Sequence, residues 1–180
     1  MDTKKNFFSF LSVFFFICAL FFIKVSNAVQ TKKDSEILTI LLTVDEGEIV
    51  AANELLKKVS SPQVKQYAQM LKKEHTENLY RVMKLSKNEH IDIVPTAITG
   101  SLKKYNKKEL NQLFTLKNTS LEKEYIKMMI QGHERVLHMM DYSLLRTVSN
   151  PALGKLTLET RPQLEKHLKQ AKLIQKTLNE

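Results

Sequence analysis

The chain has 180 residues, a formal net charge of +9, and only four glycines and four prolines. Its length suits a single domain, and its basic balance would ordinarily suggest a nucleic-acid-binding protein. The export signal described next argues against nucleic acid as a partner. The sequence contains no Ser-His-Asp spacing, Gly-rich phosphate loop or nucleotide motif, so it indicates no enzyme class of those kinds.

Residues 1–28 have the layout of a secretory signal peptide. Lys4 and Lys5 precede an apolar run over residues 7–23, and Ser26 and Ala28 place small residues at the third-last and last positions. This layout predicts export with cleavage after Ala28, to the periplasm or the extracellular space. An uncleaved membrane anchor is the alternative, because an apolar run of about 17 residues is at the short limit for spanning a bilayer.

Cleavage would leave a single domain over residues 29–180. The only cysteine, Cys18, would leave with the signal, so the core or a ligand must hold the mature chain without disulfides. Lys plus Arg would fall from 28 to 25 and Asp plus Glu from 19 to 18, which leaves a net charge of +7. Lysines cluster over residues 103–108, where we favour a solvated basic face; weak contact with an anionic envelope surface is the alternative.

The first two predicted helices form a hairpin with a short turn. The first covers residues 34–59 and has an apolar seam at helical spacing, in which Glu48 fills one gap. Ser61 can cap free backbone amides and Pro62 suits a first helical position, so these residues begin the second helix. The second helix is predicted to run to about Asn88.

A connection of roughly 30 residues follows, and a short helix is expected within it over residues 108–116. Thr119 and Glu122 then match a capping box, in which the two side chains satisfy backbone amides reciprocally. This pattern predicts that the third helix begins there and runs to about Val148.

Asn150 and Pro151 predict the start of the fourth helix, over residues 151–178, with a kink near Pro162. The short turns make each consecutive pair of helices antiparallel, and the long link can run the length of the molecule. The predicted fold is therefore all-α, a ferritin-like four-helix bundle with a long crossover between helices 2 and 3.

Glu48, His75, His133 and His167 each interrupt an apolar seam, one on each predicted helix. They lie about 13 to 16 residues into their helices, so at 1.5 Å per residue their heights agree within about one turn. Buried carboxylates and imidazoles are costly unless they are paired or bind a metal. Three imidazoles and one carboxylate suit one Zn²⁺, Cu²⁺ or Fe²⁺ ion, and they do not suit a di-iron centre, which needs more carboxylates.

Other side chains near these four have predicted supporting positions. Asp45, one turn before the carboxylate, is expected to join the site or to orient a ligand, and Asn78 is expected to support it in the same way. Tyr125 is expected to pack in the core nearby with a hydrogen-bonded hydroxyl. Glu74 and Glu134 point off the seams, and we expect them to be solvated.

A second pattern combines two methionine pairs with two histidines, namely Met128-Met129, His133, His138 and Met139-Met140. Thioethers and imidazoles together can hold copper, although methionines at helical spacing more often fill gaps in a core. The alternative to any metal is a structural polar layer that sets the register of the helices.

The chain resembles the exported bacterial ferritin-like proteins of the DUF4142 family over residues 36–178. The segments that carry the resemblance are Glu48-Ile49 with Ala51-Ala52, Glu74-His75-Thr76, Leu121-Glu122-x-x-Tyr125 and Leu164-x-x-His167-Leu168-x-x-Ala171. Leu121-Glu122 replaces the family's Phe-Asp, and Glu74 replaces its Asp. The resemblance implies a ferritin-like bundle outside the cytoplasm and supplies no activity, because fold analogy is not function.

The sequence therefore predicts an exported bundle with a metal site at mid-height. A non-catalytic envelope protein for interaction or stress, with a purely structural polar layer, is the alternative. An enzyme such as an oxidase would also need a channel and an open coordination position, and no sequence feature decides whether these exist.

Overall fold

The computed structural model describes residues 7–179, with side chains from residue 31 onward. This part of the chain is helical and contains no β-strand, which confirms the all-α prediction for it. Its elements are α1 (Phe7–Leu56), α2 (Pro62–Glu89), α3 (Ala97–Leu113), α4 (Asn118–Met139), a π-helical turn (Met140–Leu144), α5 (Leu145–Thr147) and α6 (Pro151–Asn179). The cleavage predicted after residue 28 lies outside the residues with described side chains. Within the searched part, no helix is long and apolar enough to cross a membrane.

Helix α1 packs against α2 and α4 packs against α6, while α2 also contacts α6. The core consists of a first apolar cluster around Leu55 and Tyr125 and a second around Leu38 and Leu153. On each long helix, one buried residue of the first cluster and one of the second lie nearest to the boundary between the clusters. These pairs are Ala51 and Leu42 on α1, Leu71 and Val82 on α2, Ile130 on α4 and Met140 in the π-helical turn, and Ala171 and Leu164 on α6. The polar residues predicted to share one level lie between these pairs.

The order of the clusters along each helix gives its direction. The chain passes from the second cluster to the first along α1 and α6, and from the first to the second along α2 and α4. Helices α2 and α4 therefore run in the same direction, which requires the long connection that contains α3. This helix lies against α1 and α4.

The turns before α2 and α6 have the predicted caps. The Ser61 hydroxyl accepts a hydrogen bond from the Val64 amide, and Pro62 occupies the first turn of α2. The Asn150 side-chain oxygen accepts a hydrogen bond from the Leu153 amide, 2.9 Å away, at the start of α6. Helix α6 continues through Pro162 to Asn179.

The predicted capping box at the start of α4 is wrong. Lys117 precedes the helix without a side-chain cap, and Glu122 instead reaches the turn between α1 and α2. Its Oε1 accepts hydrogen bonds from the backbone amides of Ser60 and Ser61, at 2.8 and 2.7 Å. These two distant amides have no other partner, and a buried amide without an acceptor is costly. Glu122 therefore bonds them instead of an amide at the start of its own helix.

A second acid serves the other hairpin turn in the same way. Asp34 on α1 accepts hydrogen bonds from the backbone amides of Ser149 and Asn150, at 2.8 and 3.0 Å, and from the Ser149 hydroxyl. Asp34 and Glu122 are each 4 % exposed. Each helical hairpin thus contributes one buried carboxylate that fixes the turn of the other.

The helix in the long connection is longer and begins earlier than the predicted 108–116. It begins at Ala97, after Thr96, which forms a capping box with Thr99, and it ends at Leu113. A Cβ at Gly47 would lie 2.6 Å from the Asn106 side-chain nitrogen, so the glycine permits the close approach of α3 to α1. Of the residues of α3, only Thr99 and Leu113 are buried, which explains why an apolar seam did not reveal its extent.

Candidate metal centre

Three histidines from three helices meet in the core between the two apolar clusters. His75 lies on α2, His133 on α4 and His167 on α6, and each side chain is at most 3 % exposed. One nitrogen of each ring lies within 4.8 Å of the nitrogens from the other two rings. The ring centroids are 5.2 to 6.0 Å apart. Three imidazoles that converge in this way can hold one metal ion.

The hydrogen bonds of His133 and His167 leave one free lone pair on each ring. His133 Nδ1 lies 2.8 Å from the Met129 carbonyl oxygen, which can only accept, so the proton is on Nδ1. His167 Nε2 donates to the Glu74 carboxylate, also at 2.8 Å. The remaining nitrogens, His133 Nε2 and His167 Nδ1, face each other at 3.3 Å. Two lone pairs at this distance repel each other unless a cation or an additional proton lies between them.

The third imidazole is held by a polar chain across α1, α2 and α6. His75 Nδ1 lies 2.8 Å from Asp45 Oδ1, and Asn78 donates to Asp45 Oδ2 at 2.8 Å. Thr160 in turn donates to the Asn78 side-chain oxygen at 3.2 Å. These bonds orient His75 and leave its Nε2 toward the other two rings without a hydrogen-bond partner.

Burial keeps the imidazoles of His75 and His167 neutral. It lowers the pKa of His75 to about 4, against the opposing effect of the Glu48 charge. It also lowers the pKa of His167 to about 4, against the hydrogen bond with Glu74. Burial raises the pKa of Asp45 to about 8, although the hydrogen bond from Asn78 acts in the other direction. Neutral imidazoles are the form that binds metal, and a metal on Nε2 would keep the shared proton on Nδ1 beside Asp45.

The expectation that Glu74 is solvated is wrong. Besides His167, its carboxylate accepts hydrogen bonds from Lys166 at 2.7 Å and from Gln163 at 2.9 Å. Burial disfavours its charge, but these three donors together lower the pKa of Glu74 to about 2. Glu74 thus fixes the proton of His167 on the outer nitrogen. No pattern in the sequence indicates this role, because all three donors lie on α6 and only the packing of α2 on α6 brings Glu74 to them.

Glu48 lies beside the three histidines and is not one of the converging group. Its Oε2 is buried without a hydrogen-bond partner, and its Oε1 would lie 3.7 Å from a Cβ at Gly132, next to His133 in the chain. The Tyr125 hydroxyl is also buried without a partner, so its expected hydrogen bond is not formed. Burial and then the Glu48 charge raise the pKa of Tyr125 well above its usual value.

One of the comparisons with known proteins finds a match. No curated protein and no solved structure matches the chain. The family described as "Domain of unknown function (DUF4142)" matches residues 24–174. The chain belongs to the DUF4142 family. In this DUF4142 chain the matched range includes all the predicted ligands, while the ferritin-like and exported character implied by the resemblance stays a prediction.

The second predicted pattern in this DUF4142 chain is not brought together. His138 is exposed and stacks on Tyr142, with the ring centroids 4.4 Å apart, so it lies outside the histidine group. Met129 contributes only its backbone carbonyl to the site. Glu134, as expected, is at the surface, where it pairs with Lys172. Met128 and Met129 belong to the first apolar cluster and Met139 and Met140 to the second, so the two methionine pairs lie in different parts of the core.

Proposed function

We propose that this protein is an exported, ferritin-like four-helix bundle that binds one transition-metal ion with His75, His133 and His167. The observation that carries the proposal is the convergence of three buried nitrogens whose rings each use the other nitrogen to bond an acceptor. A metal-binding histidine usually donates its second nitrogen to a carboxylate or a carbonyl, and Asp45, Met129 and Glu74 supply these acceptors.

The donor set suits borderline metal ions. Three imidazoles without a thiolate favour Zn²⁺, Cu²⁺ or Fe²⁺ over Ca²⁺ and Mg²⁺, which prefer oxygen ligands. A cation among the rings would also remove the repulsion between His133 Nε2 and His167 Nδ1. No redox step is required for this binding function.

The ferritin-like architecture is supported by the directions of the four long helices. Helices α1 and α2 run antiparallel, as do α4 and α6, while α2 and α4 run parallel across the long connection. This is the order expected of a four-helix bundle with one crossover. Within the crossover, α3 adds a fifth long helix on the outside of α1 and α4.

Export is supported by the sequence of residues 1–28 alone. In the mature protein, Lys104, Lys107 and Lys108 are exposed on α3, and Lys103 pairs with Glu46. A weak contact of this basic face with an anionic envelope surface is part of the proposal, and nucleic acid is not.

A structural polar layer is the second candidate, and the chain of hydrogen bonds from Asp45 through Asn78 to Thr160 favours it. This chain ties α1, α2 and α6 at one level, and buried polar contacts can specify helix register. The protein would then be a non-catalytic envelope protein that binds other molecules through its surface.

Elemental analysis tests the proposal directly. The protein is purified from the periplasmic fraction without a chelator or a metal-affinity tag, and its intact mass shows whether the chain begins at Val29. We expect close to one Zn, Cu or Fe per chain, and His133→Ala should lose most of it. His138→Ala is the matched control on the same helix and should keep it. A metal-free protein that binds none of the three ions when they are added would contradict the proposal.

A further inference from the structure

A few buried polar side-chain atoms have no hydrogen-bond partner. Among the described side chains there are three of them, namely His75 Nε2, Glu48 Oε2 and Tyr125 Oη. Native structures leave few buried polar groups unpaired, so these three indicate something that binds beside them. A metal ion on the histidines would satisfy His75 Nε2, but it would leave the Glu48 oxygen and the Tyr125 hydroxyl unpaired.

Glu48 is poorly placed to be a fourth metal ligand of the same kind. The histidine nitrogens lie within 4.8 Å of one another, and Glu48 is not part of this group. Its side chain lies against Gly132, where the absence of a Cβ leaves room for the carboxylate. Three protein ligands with a fourth position left to water or substrate are the pattern of open metal sites, whereas structural sites are closed by four protein ligands.

We infer that the metal keeps an open position on the side of Glu48 and Tyr125, where a small ligand, water or a small anion, binds. The inference rests on the proposed metal site. A bound water would donate one hydrogen bond to Glu48 Oε2 and accept one from the Tyr125 hydroxyl, so each unpaired atom gains a partner. Glu48 is then a hydrogen-bonding residue of the bound ligand and not a direct metal ligand.

A cleft between α1, α3 and α4 reaches Glu48. This narrow cleft of about 40 Å³ is lined by Glu48, Gly47 and Gly132 and by Glu109 and Arg135. Its size suits a water or an anion of two or three atoms, because one water needs roughly 10–15 Å³ of such volume. Larger organic substrates do not fit, so the ligand class is limited to small molecules.

The test uses the mature protein loaded with Co²⁺, whose visible absorption reports the coordination of the ion, and sodium azide as the probe ligand. We expect azide to change the Co²⁺ spectrum in a saturable manner. Tyr125→Phe should weaken azide binding about tenfold, the value of one hydrogen bond to a charged group. Tyr67→Phe is the matched control, because the Tyr67 hydroxyl is buried and already bonded to the His167 carbonyl oxygen at 3.2 Å.

A second variant separates the two roles of Glu48. Glu48→Gln should change the Co²⁺ dissociation constant less than tenfold and strengthen azide binding, because it removes a negative charge beside the anion. A loss of Co²⁺ affinity as large as that of His133→Ala would make Glu48 a metal ligand and overturn the inference.

The remaining outcomes distinguish this inference from the proposed function. Saturable Co²⁺ binding with no spectral response to azide would overturn the open position and leave the metal site intact. An azide response that Tyr125→Phe does not weaken would overturn the role of the tyrosine. Failure of the wild-type protein to bind Co²⁺, Zn²⁺, Cu²⁺ or Fe²⁺ would remove the proposed function and the inference together.

Discussion

At the scale of the residue, the second nitrogen of each histidine decides the chemistry of the site. Asp45, the Met129 carbonyl oxygen and Glu74 are each hydrogen-bonded to one nitrogen of a different imidazole ring. The other nitrogen of each ring faces a common point. Of these acceptors, Glu74 is the most exposed, and its charge is held by donors from a neighbouring helix. A buried lone pair without a donor is costly, so the same bonds that orient the rings also favour a cation between them.

Replacement of Glu74 by Gln should weaken metal binding about 10- to 100-fold, the usual effect of losing a partner that orients a ligand. The amide is neutral, so it no longer holds the His167 proton on Nε2 by charge. Competition titration with a chromophoric chelator measures the dissociation constant. Glu134→Gln is the matched control, since this acid also adjoins a histidine in the sequence but pairs with Lys172 at the surface. Equal effects of the two variants would show that Glu74 has no special role.

At the scale of the element, the helical hairpins are joined through their turns. Glu122 of the second hairpin binds the turn before α2, and Asp34 of the first binds the turn before α6. Both turns contain serine followed by a cap and a proline, so backbone donors are exposed at the same point in each. These contacts fix the ends of the helices, and thereby the height at which each histidine enters the core.

We expect Glu122→Gln to destabilise the protein by roughly 1–3 kcal/mol, because the charged acceptor of two buried amides becomes a neutral one. Chemical denaturation of the metal-free protein measures the free energy of unfolding. The control is Glu124→Gln, which removes an exposed charge paired only with Lys127 and should change stability by no more than about 0.5 kcal/mol. A similar loss in both variants would mean that the contact with the turn contributes little.

At the scale of the whole molecule, the proposed metal site connects the two hairpins. His75 belongs to the first hairpin, whereas His133 and His167 belong to the second, and the site lies between the two apolar clusters. Each cluster buries side chains from both hairpins, so the fold does not depend on the ion alone. An ion at this level should therefore add to the stability of an already folded chain.

The double substitution Glu48→Leu with His75→Leu distinguishes a metal-binding site from a purely structural polar layer. The metal-free variant loses two unpaired buried atoms, which is favourable, and also the bond from His75 to Asp45 Oδ1, which is unfavourable, so its melting temperature should stay close to that of the wild type. At 100 times its dissociation constant, the ion should stabilise the wild type by about 2.7 kcal/mol, or roughly 5–10 °C, and the variant not at all. Differential scanning calorimetry measures both. A wild type that gains nothing from any of the three ions would support the structural layer.

Local patterns in the sequence were sufficient to predict the long helices and the height along them at which the histidines meet. Apolar residues at helical spacing, interrupted once on each long helix, indicate where the polar residues enter the core, and Ser61 and Asn150 mark two helix starts. The same reasoning predicted only the last part of α3, which buries few residues, and it misassigned Glu122, because its partners lie 61 and 62 residues away in the chain.

The sequence by itself therefore indicated the helical class, the family and the three histidines that meet in the core, since these depend on spacing along single helices. Tertiary structure decided which polar residues support the site. Only the contact between α2 and α6 makes Glu74 the partner of His167, and only the contact of α1 with α4 places Glu48 beside Gly132 and outside the histidine group. A side chain of this length reaches donors on any of several neighbouring helices, so its role follows from packing and not from its position in the chain.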